Sequence, residues 1–216
     1  MMRASTNQKE IVLGLILLGY LILMRDITTW LFTTFEINSG WVVLCWFFLG
    51  LPLIAVPIWK KGNKLGWETE KYIPYFIAGF IGGTVIGILL HLSTLSTLEL
   101  GVSSNPPYLL IFQLFVFSFF VAGPQEESLF RGYIQPALEE RYGRIPGLLL
   151  TSALFGLAHL GFLNLQASLI AVILGIFMGY LRDKTGTLLA PYGFHGAVSF
   201  VGPVLILLSG GTYTII

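Results

Sequence analysis

The chain has 216 residues, 55% of them hydrophobic and only 11% charged, with a mean hydropathy of +0.81. A soluble domain carries about 25% charged residues, so charge this sparse cannot cover a water-facing surface and most of the chain must meet lipid. The net charge of +1 offers no basic face to nucleic acid, and the single cysteine, Cys45, excludes an internal disulfide.

The first apolar run, 11–24, is short for a crossing. It spans only if its helix continues through Arg25 and Asp26 to about residue 35, with that pair held against each other or at the interface. Arg3 and Lys9 precede it as in a signal peptide, but no small-x-small cleavage site follows, so it reads as a retained first helix. Uncharged stretches then recur at 37–59, 72–98, 100–125, 145–163, 165–181 and 185–216, each near the about 20 residues that a crossing needs. No lipidation motif is read at the C-terminus.

The expected fold is all-α: a polytopic transmembrane bundle of about seven helices, forming one integral membrane domain over 1–216. Its first hundred residues supply N-terminal helices, and 107–210 carry the chemistry. Counting crossings gathers Arg3, Lys9, Lys60, Lys61, Lys64, Lys71, Arg131, Arg141, Arg144, Arg182 and Lys184 on one side. The positive-inside rule makes that side cytoplasmic, with the N-terminus inside and the C-terminus outside. Gly79, Gly83 and Gly87, and separately Gly175 and Gly179, have the spacing that lets membrane helices approach closely.

Ionisable groups within spans point to function. Glu126, Glu127 and Arg131 sit at the inner half of the fourth long segment, His159 in the next and His195 in the last. On a helix Glu127 and Arg131 are i,i+4 neighbours and pair, which leaves Glu126 without a local cation. Spacing alone leaves open a second arrangement, in which both carboxylates lie in water at a helix end. Gly123-Pro124 just before them removes a backbone hydrogen bond and lets the helix bend. His195 and Ser199 share a helix face, as do Ser152, Gly156 and His159; His91 and Cys45 read as packing residues.

Glu126, His159, His195 and Ser199 together supply what amide hydrolysis needs. A carboxylate and an imidazole polarise a water, while a second imidazole and a hydroxyl donate to the developing oxyanion. Glutamate and two histidines also make a zinc donor set, although there is no HExxH and no cysteine ligand; a metal is not favoured, and if one binds it takes Glu126, His159 and His195. No serine lies in an activating G-x-S-x-G motif. Intramembrane Glu and His also build proton relays, but no two-halves repeat of a carrier is visible.

Three elements in order, Glu126-Glu127-x-x-x-Arg131, Phe155-x-x-x-His159 and His195, resemble the CPBP family of intramembrane proteases, the CAAX prenyl proteases and bacteriocin-processing or immunity (Abi) proteins. The resemblance covers about 123–202. Ser199 departs from it, standing where the prenyl-protease branch has Asn. The resemblance implies an endopeptidase that cuts membrane-associated peptides or proteins, lipidated CaaX-like chains or leader peptides among them, at a site opening to the cytoplasm. Glu126 would be the base on water, His159 its assistant and His195 the oxyanion donor, with Glu127 and Arg131 as support. The family is often labelled metalloprotease; its better-understood members look metal-independent. The alternative within the same fold is a non-catalytic scaffold or immunity protein. Helix rise sets a condition on the reading: the three side chains meet only if Arg131 lies inside the protein and its helix runs on towards Glu139.

Overall fold

The computed structural model describes residues 2–68, 70, 72–95, 107–160 and 165–210, and among these there is helix and no strand. Seven helices follow one another: α1 (Met2–Thr34), α2 (Ser39–Lys61), α3 (Tyr72–Leu95), α4 (Tyr108–Tyr142), α5 (Arg144–His159), α6 (Leu165–Thr185) and α7 (Leu189–Leu208). Six are long and apolar enough to cross a membrane. The exception is α5, whose 16 residues reach about 24 Å, short of a hydrocarbon core of about 30 Å.

The outer faces of the helices carry Ile16, Leu23, Phe48, Ile81, Leu89, Phe112 and Ile173, all exposed, as lipid-facing positions require. The first helix does run past its internal charges. Arg25 is buried and bonds Asp26 Oδ1 through Nε (2.9 Å) and Nη2 (2.6 Å), so the pair is held against each other while Asp26 faces outward.

The connections bearing the basic residues cluster at one end. Lys61 pairs with Glu10 at 2.5 Å, which brings the start of α1 to the end of α2. Arg144 pairs with Asp183 at 2.7 Å and Arg182 with Glu139 at 3.1 Å, tying the α4–α5 corner to the end of α6. The Gly66 carbonyl accepts from the Leu188 amide (2.7 Å) and the Thr187 hydroxyl (2.8 Å), joining the α2–α3 and α6–α7 connections. Lys60 lies over the exposed Trp59 ring and Lys184 over Tyr180, the aromatic and basic collar expected at a membrane interface. Lys71 is outside the described residues. Arg131 is a correction: it is no end charge but a fully buried group within α4.

Glycine sets the closest helix contact. A Cβ at Gly79 would overlap the Ala190 carbonyl, one at Gly83 the Phe194 carbonyl, and one at Gly193 of α7 the Phe76 carbonyl, so α3 and α7 meet backbone to backbone. The Gly175/Gly179 pair on α6 lets α5 approach closely, since a Cβ at Gly175 would crowd the Ser152 backbone and one at Gly179 the Leu148 side chain. Its bare backbone also receives side chains of α4: Arg131 Nη2 donates to the Gly175 carbonyl (3.4 Å) and Gln135 Nε2 to the Gly179 carbonyl (3.3 Å).

The most irregular element is α4, with the wider π turn over Phe117–Ala122 and again over Ser128–Ile134. Each gives way to α-helix just before a proline, Pro124 and Pro136. The Gly123 amide bonds the Ser118 carbonyl five residues back, so the Phe119 carbonyl would have to accept from residue 124, which has no N–H. The Tyr192 hydroxyl of α7 donates to it instead, at 2.6 Å. The expected bend at Gly123-Pro124 is thus a widened turn pinned by the helix that bears His195. The uncharged stretch ends at 125, yet the helix runs on to Tyr142, because its charges are buried in the bundle rather than released to water.

Candidate active site

Glu126 and Glu127 both point into the bundle, where their side chains are 10% and 0% exposed. The Glu127 Oε1 atom takes Arg131 Nη1 at 3.2 Å and His195 Nδ1 at 2.8 Å. Arg131 is wholly buried, with its guanidinium carbon 4.3 Å from the centre of the Phe155 ring. The Glu127–Arg131 pair expected from spacing is therefore present, and it extends to a third member: Glu127 fixes which way the His195 ring faces.

That leaves His195 Nε2 turned to Glu126, 3.8 Å from Oε2. From the other side His159 presents its own Nε2 at 3.9 Å from the same oxygen. The Nδ1 of His159 is 2.8 Å from the Phe155 carbonyl, an acceptor, so Nδ1 carries the proton and the ring is held. Phe155 backs the whole group, its ring 4.5 Å from that of His159 and edge-on to His195 at 5.8 Å. Glu126 Oε2 is buried and accepts no hydrogen bond among the described residues. A buried carboxylate oxygen left open towards two imidazoles is a place for a small polar guest.

The condition set by helix rise is met. Arg131 lies inside the protein and α4 continues past Glu139. Between Glu126 and Gln135, whose amide reaches Asp183 at 3.0 Å near the basic end, α4 rises about 13 Å, so the cluster lies well inside the bundle from that end. The arrangement with both carboxylates in water at a helix end is overturned by their burial among α5, α6 and α7.

The structure does not draw in Ser199. It is half-buried one turn beyond His195, and among the described residues no hydrogen bond joins it to the cluster. His91 is buried on α3, a helix that contributes nothing to the cluster. Two neighbours were not singled out from sequence. Ser128, fully buried next to Glu127, takes the Trp67 indole N–H at 3.0 Å. Gln125, equally buried, donates to the Trp46 carbonyl at 3.0 Å and fills the space that a side chain at Gly50 would need. Both flank the two glutamates in sequence, and a polar run Gln-Glu-Glu-Ser inside an apolar segment was the available signal.

A metal has a natural donor set here, two imidazole nitrogens and a carboxylate oxygen, but these atoms stand wider apart than the ligands of a bound zinc. The 3.8 and 3.9 Å separations exceed the about 3.3 Å between ligands of a tetrahedral zinc with bonds of about 2.0–2.1 Å. Among the described residues no three His, Cys, Asp or Glu side chains close to metal-binding geometry. Separations of this size match two groups that share one water through hydrogen bonds of about 2.8 Å.

No curated protein and no solved structure matches the chain. Residues 108–201, which hold every member of the cluster, match the family model described as type II CAAX prenyl endopeptidase Rce1-like, the family that the three motifs resemble.

Proposed function

We propose that this protein is an intramembrane endopeptidase that hydrolyses peptide bonds with a water activated by Glu126. The observation that carries the reading is Glu126 Oε2, buried, unbonded and within 3.9 Å of two imidazole nitrogens that come from separate helices.

Glu126 removes a proton from a water that also donates to His159 Nε2, and the water oxygen adds to the scissile carbonyl carbon. His195, protonated on both nitrogens, donates through Nδ1 to Glu127 and through Nε2 to the oxyanion that forms. With Glu126 and Glu127 ionised, Arg131 and this imidazolium bring the group to neutrality, which a low-dielectric site requires. The carbon–nitrogen bond then breaks as Glu126 passes its proton to the departing amine, leaving a carboxylic acid and an amine. No step calls for a metal, and Ser199 remains a candidate second oxyanion donor only if substrate draws it inward.

Membrane-associated peptides are the substrate class that fits a buried site, prenylated CaaX-like chains and leader peptides among them. The basic residues gathered at one end of the bundle favour a cytoplasmic position for that end, an inner N-terminus and an outer C-terminus, and a site approached from the cytoplasm.

The test is a cleavage assay in liposomes on a pool of membrane-anchored peptides, with and without a strong chelator. Glu126→Gln keeps the volume and removes the base, so turnover should fall by about 10²–10⁴ with folding intact, and His159→Ala should fall similarly. Wild-type turnover by Glu126→Gln would end the general-base assignment. Loss with chelator that added zinc restores would replace it with a metal mechanism at the same residues.

A further inference from the structure

Among the described residues the helix that carries His159 ends at that residue, and an α-helix leaves its last carbonyls without intrahelical partners. The Leu160 amide tightens the final turn onto the Leu157 carbonyl at 3.1 Å, and the next carbonyl, that of Ala158, meets a side chain from another helix. That side chain is Arg25 of α1, whose Nη1 donates to it. Arg25 is 4% exposed, with Asp26 as its counter-ion. A guanidinium at a helix C-terminus meets both the open carbonyl and the negative end of the helix dipole. The acceptor belongs to the residue before His159, so whatever fixes that peptide fixes the origin of the imidazole.

We infer that Arg25 is a positioning residue for the reaction: through the Ala158 carbonyl it holds the end of α5 so that His159 Nε2 faces Glu126. The inference rests on the reading of His159 as part of the water-activating group. Arg25 lies far outside residues 108–201, so the first helix completes a site whose other members all fall within the family match. It touches neither substrate nor the reacting atoms.

The chain has three histidines, which makes imidazole NMR in detergent a direct readout. Arg25→Gln should shift the His159 resonances while His91 and His195 stay in place, and kcat should fall about ten- to a hundredfold with KM within twofold. Arg25→Lys, which keeps a cation near the carbonyl, should recover most of both. A His159 signal unmoved in Arg25→Gln overturns the inference, as do three histidine signals displaced together in both variants, which would mean a general packing role. The spectra need no substrate. If Glu126→Gln cleaves like the wild type, the protease mechanism fails while the spectra still decide whether Arg25 positions His159.

Discussion

Two helices of similar apolar character, α3 and α4, solve burial in opposite ways. The third helix is regular, shows Ile73, Ile77, Ile81 and Leu89 to lipid, and turns a row of glycines to α7. The fourth is widened at two places and buries Gln125, Glu126, Glu127, Ser128, Arg131 and Gln135. Lipid tails are as apolar as leucine, so an apolar face gives no reason for helices to associate. Bare backbone does so in α3; buried polar side chains do so in α4. Only the second arrangement makes chemistry, and it makes the fold dependent on each charge finding its partner.

The sharpest way to break this contrast is to strand a charge. Arg131→Ala leaves Glu127 buried with only His195, which should cost about 3–5 kcal/mol and appear as a lower unfolding midpoint in detergent or reduced accumulation. Normal abundance together with full activity would show that the buried pair carries no weight. The same exercise on α3 is steric. Gly83→Leu drives a side chain into the Phe194 backbone and should cost about 1–3 kcal/mol, read in the same melt. Because α7 also bears His195, the surviving folded protein should cleave more slowly. An unchanged melt would mean that α3 is not clamped to α7. The smallest effect is expected at Ser199→Asn. The longer amide should preserve or raise turnover if this helix face meets the oxyanion, whereas complete loss would assign that face another task.

The sequence announced the membrane, the order of the helices and the three motifs, because hydropathy and isolated charges survive reading one residue at a time. Helix α1 ran through Arg25 and Asp26 as its length demanded, and Glu127 paired with Arg131 as its spacing demanded. What spacing left open was depth: with a stop at 125 the glutamates belong to a helix end, and only the partners at Gly175 and His195 show why the helix continues. The widened turns were hidden for a similar reason. Pro124 and Pro136 mark them, but a proline signals a missing hydrogen bond, not how the chain makes it good; here Tyr192 does so from the last helix. Arg25 was read as paired with Asp26 alone, since nothing local betrays a contact 133 residues away.

That separation in sequence bears on how the molecule is assembled. A ribosome releases α4 with Glu127 and Arg131 already able to pair, but before their further partners exist: the Gly175 carbonyl is 44 residues downstream of Arg131, and His195 is 68 downstream of Glu127. During synthesis the charged half of α4 is therefore a poor candidate for independent release into lipid, since an unpartnered charge at the centre of a membrane helix opposes insertion by about 2.5–3.5 kcal/mol. It must wait at the insertion machinery, or in contact with α1 and α2, until α6 and α7 follow. The site is finished last, and a nascent chain that stops short of α7 holds two glutamates against one arginine.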